Sequence, residues 1–145
     1  MLRFFEDHGG RVGVLSLPLL ESAVARPQTT VGGEDAYPSI ASKAAALTHS
    51  LIMNHPFADA NKRTGILSGL VFLRLNGYGV LPEMDELYQT ALAVATHEMT
   101  FDRLVTWYGE LIDWYQESLE LQLDESNSAI ADQLPELYEG YLSDD

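Results

Sequence analysis

The residues best suited to chemistry lie within nine consecutive positions of the chain. They comprise one imidazole, one carboxylate, one amide and two cations: His55, Asp59, Asn61, Lys62 and Arg63. An imidazole can take a proton from a hydroxyl group near neutral pH. A carboxylate is a ligand that Mg²⁺ accepts, and neighbouring cations favour a bound phosphate. This combination predicts a site that handles phosphate groups.

Two predicted helices position this stretch. The upstream one, over about residues 38–53, has apolar residues at helical intervals: Ile40, Ala44, Leu47 and Leu51. Pro56 prevents the helix from running on. A second helix is predicted over about residues 61–76, with Asn76-Gly77 as its C-terminal signal. Its first amides lack intrahelical partners, so they favour an anion beside Lys62 and Arg63.

The rest of the chain predicts further helices and no long strand. We expect a short helix over residues 2–8, and another over about 17–25 with Ser16 as its N-cap. Residues 26–38, with two prolines and Gly32-Gly33, predict a loop or small hairpin. A helix from about residue 83 to 97 follows. The predicted fold class is therefore all-α.

Composition limits the classes of protein to consider. Among the 145 residues there is no cysteine, which excludes disulfides and thiolate metal sites. No apolar run approaches the roughly 18–20 residues of a membrane span. The first residues are too few and too acidic for a signal peptide, so we expect a cytoplasmic protein without a membrane partner. The net charge of −14 argues against nucleic acid as the main partner.

The negative charge is concentrated near the C-terminus. Residues 123–145 contain seven acids and no base, which is half of the net charge. We therefore expect a compact domain over residues 1–122 and an acidic tail over 123–145. The last long helix should begin after Thr100 and end near Leu123, and Ser126-Asn127-Ser128 should form a loop.

Residues 55–65 read HPFADANKRTG, which resembles the signature of the Fic/Doc family. The lysine after Asn61 and the alanine before it resemble the Doc branch, and the likeness extends over roughly residues 8–115. The resemblance implies an all-α, single-domain Fic/Doc fold with a central motif loop and helix and a short flap. In this chain the flap would include the β-forming residues Thr29, Thr30 and Val31, which could pair with the backbone of a target protein.

The Doc resemblance also implies an activity. Doc proteins are toxins of toxin–antitoxin pairs that act as protein kinases, passing the γ-phosphate of ATP to a threonine of elongation factor Tu and inhibiting translation. By this resemblance His55 is the base, Asp59 holds Mg²⁺, and the phosphates are bound by Asn61, Lys62 and Arg63. The implied cofactors are ATP and Mg²⁺. The implied partners are a cognate antitoxin and elongation factor Tu or another translation protein.

Two alternatives stay open. Fic relatives that transfer AMP usually carry Gly where this chain has Lys62 and a second Arg where it has Ile66, so an adenylyltransferase is a rival that this sequence disfavours. A catalytically idle module held by an antitoxin is the other. Asp59 also has a competing role, because Asp just ahead of a helix is a favoured N-cap. His49 and His97 lack comparable neighbours, and we interpret both as structural or solvated.

Overall fold

A computed structural model describes residues 13–142, with side chains as far as Ala129 and at Asp132. This part of the chain contains five helices: α1 Leu17–Ala25, α2 Ile40–Asn54, α3 Asn61–Leu75, α4 Met84–Ala95 and α5 Phe101–Leu142. The predicted all-α class is confirmed. None of the described helices is both long and apolar enough to cross a bilayer. The helix predicted over residues 2–8 lies outside the described residues.

Local capping fixes where several helices begin. Ser16 caps α1, its hydroxyl accepting a bond from the Leu19 amide at 3.3 Å, as predicted. Ser39 and Ser42 form a reciprocal capping box at the start of α2, with both bonds 3.0 Å long. Thr100 accepts from the Arg103 amide at 3.2 Å and opens α5. These caps satisfy amides that no preceding turn can pair.

Helices α2 and α3 pack closely because α3 carries two glycines one turn apart. A Cβ on Gly65 would lie 2.6 Å from the Ile52 side chain and 3.0 Å from the Thr48 carbonyl oxygen. A Cβ on Gly69 would collide with the hydroxyl groups of Thr48 and Tyr108. The later glycine meets only the earlier part of α2, so the helices run antiparallel. Only residues without a Cβ allow this approach.

A buried hydrogen-bond chain joins α2, α3 and α5 at the same contact. Thr48 Oγ1 lies 3.1 Å from the Gly65 carbonyl oxygen and 2.6 Å from the Tyr108 hydroxyl. Since Thr48 has one hydroxyl proton to donate to Gly65, Tyr108 must donate to Thr48. Burial raises the pKa of the Tyr108 phenol, and its bond to Thr48 opposes the shift only in part. The phenol therefore stays protonated and keeps donating.

Residues 26–38 form the hairpin that was one of the two predicted alternatives. A 3₁₀ turn over Arg26–Gln28 leads into β1 Thr30–Val31, which pairs antiparallel with β2 Glu34–Asp35. Gly32 and Gly33 connect the strands with φ of 61° and 85°. Two successive positive φ angles are the requirement of a type I′ turn, the tightest hairpin connection.

The predicted end of α5 near Leu123 and the predicted loop at Ser126-Asn127-Ser128 are wrong. Helix α5 continues through this stretch to Leu142. Serine and asparagine cost only some tenths of a kcal/mol each inside a helix, and neither residues 123–134 nor their upstream neighbours from 113 onwards contain a Gly or Pro that would break it. Three weakly unfavourable residues are therefore insufficient to stop an established helix.

The chain divides into two compact units, the first ending at Ile112 and the second beginning at Asp113. The second unit contains the C-terminal part of α5. Its described side chains include exposed apolar residues, namely Trp114, Leu119, Leu121 and Leu123. The acidic tail beginning at residue 123, which we inferred from charge, stays a prediction.

Gly69→Ala is expected to destabilise the first unit by about 1–3 kcal/mol, because the new methyl group overpacks the contact with Thr48 and Tyr108. The cost should be smaller in a Tyr108→Phe background, where one of the colliding oxygens is gone. Gly109→Ala is the matched control, since no atom lies within 4 Å of a Cβ there. Urea unfolding midpoints measure both effects. Equal stability of Gly69→Ala and Gly109→Ala would contradict this account of the packing.

Candidate active site

The five residues predicted to act in catalysis or to bind phosphate all line one cavity of about 420 Å³. The predicted flap residues Thr29, Thr30 and Val31 are not among its lining residues. Its polar side is formed by the motif residues His55, Asp59, Asn61, Lys62 and Arg63. Its other side is apolar and comes from α3 and α4, chiefly Ile66, Leu67, Met84, Leu87 and Tyr88. The volume lies in the range of small-molecule sites, which run from about 300 to 1,000 Å³.

The motif loop between α2 and α3 reverses the chain through two left-handed residues. His55 ends α2 with φ 46° and ψ 53°, and Ala60 precedes α3 with φ 61° and ψ 25°. For a residue with a Cβ this conformation costs roughly 1–2 kcal/mol. The reversal brings the His55 side chain and the first turn of α3 to the same cavity.

Residues 13–16 hold this loop through backbone hydrogen bonds. The amides of Leu15 and Ser16 donate to the Pro56 carbonyl at 2.8 and 3.3 Å, and the Ala58 amide donates to Gly13 at 3.0 Å. Pro56 is itself fully buried. Bonds from a distant part of the chain thus stabilise the loop in its left-handed conformation. Sequence analysis missed this role of residues 13–16.

The Asn61 side chain also holds the loop, by bonding its backbone at Phe57. Its Oδ1 accepts from the Phe57 amide and its Nδ2 donates to the Phe57 carbonyl, both at 3.0 Å. The side chain thereby closes a two-bond clamp across four residues and fixes where α3 begins. One proton of Nδ2 is left over for a ligand.

The first turn of α3 is open to an anion. The position before the helix belongs to Ala60, which offers no side-chain cap, so Asp59 is not the N-cap residue. The Asp59 carboxylate instead accepts from the Ala60 amide at 2.6 Å. The first intrahelical donor is the Thr64 amide, at 2.9 Å from the Ala60 carbonyl. No described side chain caps the preceding amides, and a bound anion could satisfy them.

Two cations flank this helix end. Lys62 and Arg63 are exposed, and among the residues described the only ion pair joins Lys43 to Asp35. Cations in a first turn oppose the helix dipole, typically by some tenths of a kcal/mol. A bound phosphate would turn this local repulsion into attraction. The arrangement therefore favours a polyanionic ligand although the whole chain carries a net charge of −14.

Comparisons with known proteins agree with this geometry. The model of the Fic/DOC family matches residues 3–73, a range that includes the motif loop and most of α3. A protein named Toxin Doc, from Mycolicibacterium smegmatis (strain ATCC 700084 / mc(2)155), is 48% identical over 77 residues. The region of the chain that carries the site belongs to the Fic/Doc family. Within it, this identity supports the Doc branch.

The alignment with Toxin Doc covers 53% of this chain and 59% of that relative. Less than two thirds of the relative's length is therefore matched. The similarity assigns this region to the Fic/Doc family, and the α2–loop–α3 geometry is the part of the fold that carries the family's motif. The activity and partners of the whole relative enter below only as part of a proposal.

The Fic/Doc motif loop of this chain fits a magnesium ion only in company with phosphates. Asp59 uses one carboxylate oxygen for the Ala60 amide and leaves the other free. Among the described residues no three His, Cys, Asp or Glu side chains cluster as a metal cage. Mg²⁺ is commonly bound by one or two carboxylates together with substrate phosphates. A single carboxylate beside an anion-binding helix end meets that requirement.

His49 lies outside this site, as predicted. It is half-buried in α2, and its ring contacts Phe101 edge-on with 5.8 Å between ring centroids. Burial lowers the pKa of His49, and the charges of Arg26 and His97 lower it further. His97 is exposed. The His49 imidazole is therefore a packing group that the folded protein prefers to keep neutral.

Sequence analysis also missed the α4 side of the cavity. Met84 and Tyr88 line it although 75% and 58% of their surfaces are exposed. Their spacing of four residues places them on one face of α4. This spacing is the only sign in the local sequence that both could line the same cavity. Which helix packs beside the motif depends on tertiary contacts that local periodicity does not contain.

Asn61→Asp should destabilise the motif loop and with it the first unit. The substitution keeps the acceptor for the Phe57 amide but places a carboxylate oxygen against the Phe57 carbonyl. Two acceptors then face each other in a partly buried site, where the loss of a hydrogen-bond donor costs about 1–3 kcal/mol. Asn76→Asp is the control, because Asn76 also bonds a carbonyl four residues back, on the exposed opposite end of α3. Urea unfolding midpoints measure the effect; equal midpoints of the two variants would refute the clamp.

The lowered pKa of His49 predicts a pH dependence of stability. The unfolded chain binds a proton at this imidazole more readily than the folded chain does. The contribution of neutral His49 to the free energy of unfolding is therefore fully present above about pH 6.5, and it is lost as pH falls through the lower folded-state pKa. Wild type should lose more stability between pH 7.5 and pH 5 than His49→Gln. Thermal unfolding of both proteins across that range gives the difference, and parallel curves would contradict the assignment.

Proposed function

We propose that this chain is a Doc-type toxin of a toxin–antitoxin pair that acts in the cytoplasm. In this proposal it transfers the γ-phosphate of ATP to a threonine hydroxyl of elongation factor Tu and thereby inhibits translation. Membership of the Fic/Doc family and the similarity to Toxin Doc support the proposal. The observation that carries it is that His55 lines the same cavity as the open first turn of α3 with Lys62 and Arg63.

His55 supplies the base in the proposed reaction. Its exposed imidazole at the cavity accepts the proton of the target hydroxyl as the oxygen attacks the γ-phosphorus. The bond between the γ-phosphorus and the oxygen bridging to the β-phosphate breaks, and ADP leaves with that electron pair. The left-handed backbone at His55 fixes where the ring enters the cavity.

The start of α3 stabilises the negative charge of the phosphoryl group during its transfer. The open amides of its first turn donate to phosphate oxygens, and Lys62 and Arg63 neutralise part of their charge. Asp59 would hold Mg²⁺, which when bound would neutralise further charge on the phosphates of ATP. Asn61 keeps the loop rigid, so these donors are already aligned when ATP arrives.

Two side chains favour the γ-phosphate over the α-phosphate. Lys62 places a long cationic chain at the cavity, where a glycine would leave room for close backbone approach to the α- and β-phosphates. Ile66, 3% exposed in the cavity wall, offers no charge to clamp a departing pyrophosphate. ATP bound with its terminal phosphate towards His55 would leave the adenosine away from this constriction.

The target and the antitoxin follow from the same proposal. The exposed hairpin carrying Thr29, Thr30 and Val31 would receive an extended segment of the target by backbone pairing. A cognate antitoxin would restrain the enzyme in the cell. Nucleic acid and membranes have no role in this reaction.

Incubation with elongation factor Tu, Mg²⁺ and labelled ATP is expected to transfer label from the γ-position and none from the α-position. His55→Ala should reduce γ-label transfer at least a hundredfold, because general-base catalysis contributes about 10²–10⁴-fold. The residue is exposed in a loop, so circular dichroism of the variant should be unchanged. Label on the threonine is followed by electrophoresis and mass spectrometry.

The other outcomes decide between the rivals. Incorporation of α-label by the unmodified chain would replace kinase activity with AMP transfer. No label from either ATP on any translation factor would favour an idle binding module. The double variant Lys62→Gly with Ile66→Arg supplies the features of AMP-transferring relatives, and it should gain α-label transfer while its γ-label transfer falls.

A further inference from the structure

The free edges of the hairpin present few backbone groups. The Ala36 amide donates to the Thr29 carbonyl at 2.9 Å, so these two residues form a hydrogen-bonded pair. Pairs alternate along an antiparallel ladder, and Thr30 opposite Asp35 is therefore a non-hydrogen-bonded pair. The amide and carbonyl of Thr30 consequently point to the outer edge of β1. A hairpin this short can pair productively with a target only if its orientation is fixed.

Lys43 of α2 fixes both ends of the hairpin segment. Its ammonium group donates to the Asp35 carboxylate and to the carbonyl of buried Pro27, each at 3.1 Å. The Lys43 side chain is 20% exposed and that of Asp35 is 51% exposed. Partial burial makes this pair less screened than a fully solvated one. One cation on a core helix thus holds the 3₁₀ turn that precedes β1 and the end of β2.

A second contact closes the base of the hairpin but leaves its tip free. Arg26 Nε donates to the Tyr37 hydroxyl at 2.8 Å, and the guanidinium lies 5.8 Å from the centre of the Tyr37 ring. Tyr37 in turn contacts Phe101 with 5.6 Å between ring centroids. The side chain of Val31 is 71% exposed. The root of the hairpin is therefore anchored and the β1 edge is left accessible.

We propose that Lys43 is a positioning residue for the protein target. Through Asp35 and Pro27 it holds the hairpin in the orientation in which the β1 edge receives an extended segment of the target. Lys43 is not among the residues that line the cavity with His55 and the start of α3. The inference rests on the proposed function, because only a protein substrate makes the orientation of this hairpin matter.

We call the two bonds of Lys43, to Asp35 and to Pro27, the Lys43 clip. Hydrogen exchange followed by mass spectrometry tests this clip without any measurement of activity. Lys43→Met, which keeps a long side chain but removes the charge, should raise exchange of the hairpin amides about three- to tenfold, as expected for loss of a partly exposed charged hydrogen bond. Asp35→Asn should act in the same direction. Glu34→Gln is the matched control: it removes the same charge from the neighbouring residue, whose side chain lies on the opposite face of the strand. Amides of α2 and α3 should be unaffected in all variants.

Kinetics with elongation factor Tu and ATP test the positioning role. Lys43→Met should raise the KM for the protein about three- to tenfold, while kcat and the KM for ATP change less than about twofold. Lys43→Arg, which can still donate to both partners, should restore most of the affinity. Glu34→Gln should behave like wild type.

Each result decides a part of the inference. Unchanged hairpin exchange in Lys43→Met would overturn the clip, whatever the enzyme does. Raised exchange with an unchanged KM for the protein would overturn the positioning role. If wild type transfers no phosphate to the factor, the proposed function and the positioning role fail together. Hydrogen exchange alone then decides whether the Lys43 clip exists.

Discussion

The close contact between α2 and α3 is the constraint on which the site depends. Gly65 and Gly69 let the two backbones approach where any Cβ would collide with Ile52, Thr48 or Tyr108. Helices this close and antiparallel leave little space for the connecting loop. Residues 55–60 must therefore reverse the chain abruptly, and they do so with two left-handed residues. The close packing of α2 and α3 therefore determines the geometry of the motif loop.

Strain in the loop is balanced by bonds that leave the cavity side open. The amides of Leu15 and Ser16 bond the Pro56 carbonyl, and Asn61 bonds both backbone groups of Phe57. These contacts satisfy the loop without using the first amides of α3. A loop conformation that would be unfavourable alone thus persists, and strained backbone of this kind is characteristic of functional sites. The unused amides and the two cations are what the proposed phosphate chemistry requires.

Much of the fold could be predicted from the sequence because its signals are local. Ser16, Thr100 and Asn76-Gly77 mark helix ends through short-range capping, and periodic apolar residues predict the helices between them. The residues of the candidate site lie within nine positions, so their proximity followed from the chain itself. The identification of the family rested on the same stretch.

The features that sequence analysis missed depend on contacts between distant residues. The bonds of residues 13–16 to the loop, the α4 wall with Met84 and Tyr88, and the Lys43 clip all join separate elements. The end of α5 was wrong for a different reason, since Ser126-Asn127-Ser128 is a weak local signal that the surrounding helix overrides. Local preferences predict elements well and predict their partners poorly.

The central claim is that the terminal phosphate of ATP binds at the open start of α3 on the side of His55. A crystal structure with Mg²⁺ and a non-hydrolysable ATP analogue tests it most directly. The account predicts that the γ-phosphate accepts bonds from the first amides of α3, between Lys62 and Arg63, with His55 facing it and Mg²⁺ on Asp59. An analogue whose α-phosphate faces His55, or one bound away from α3, would contradict the account.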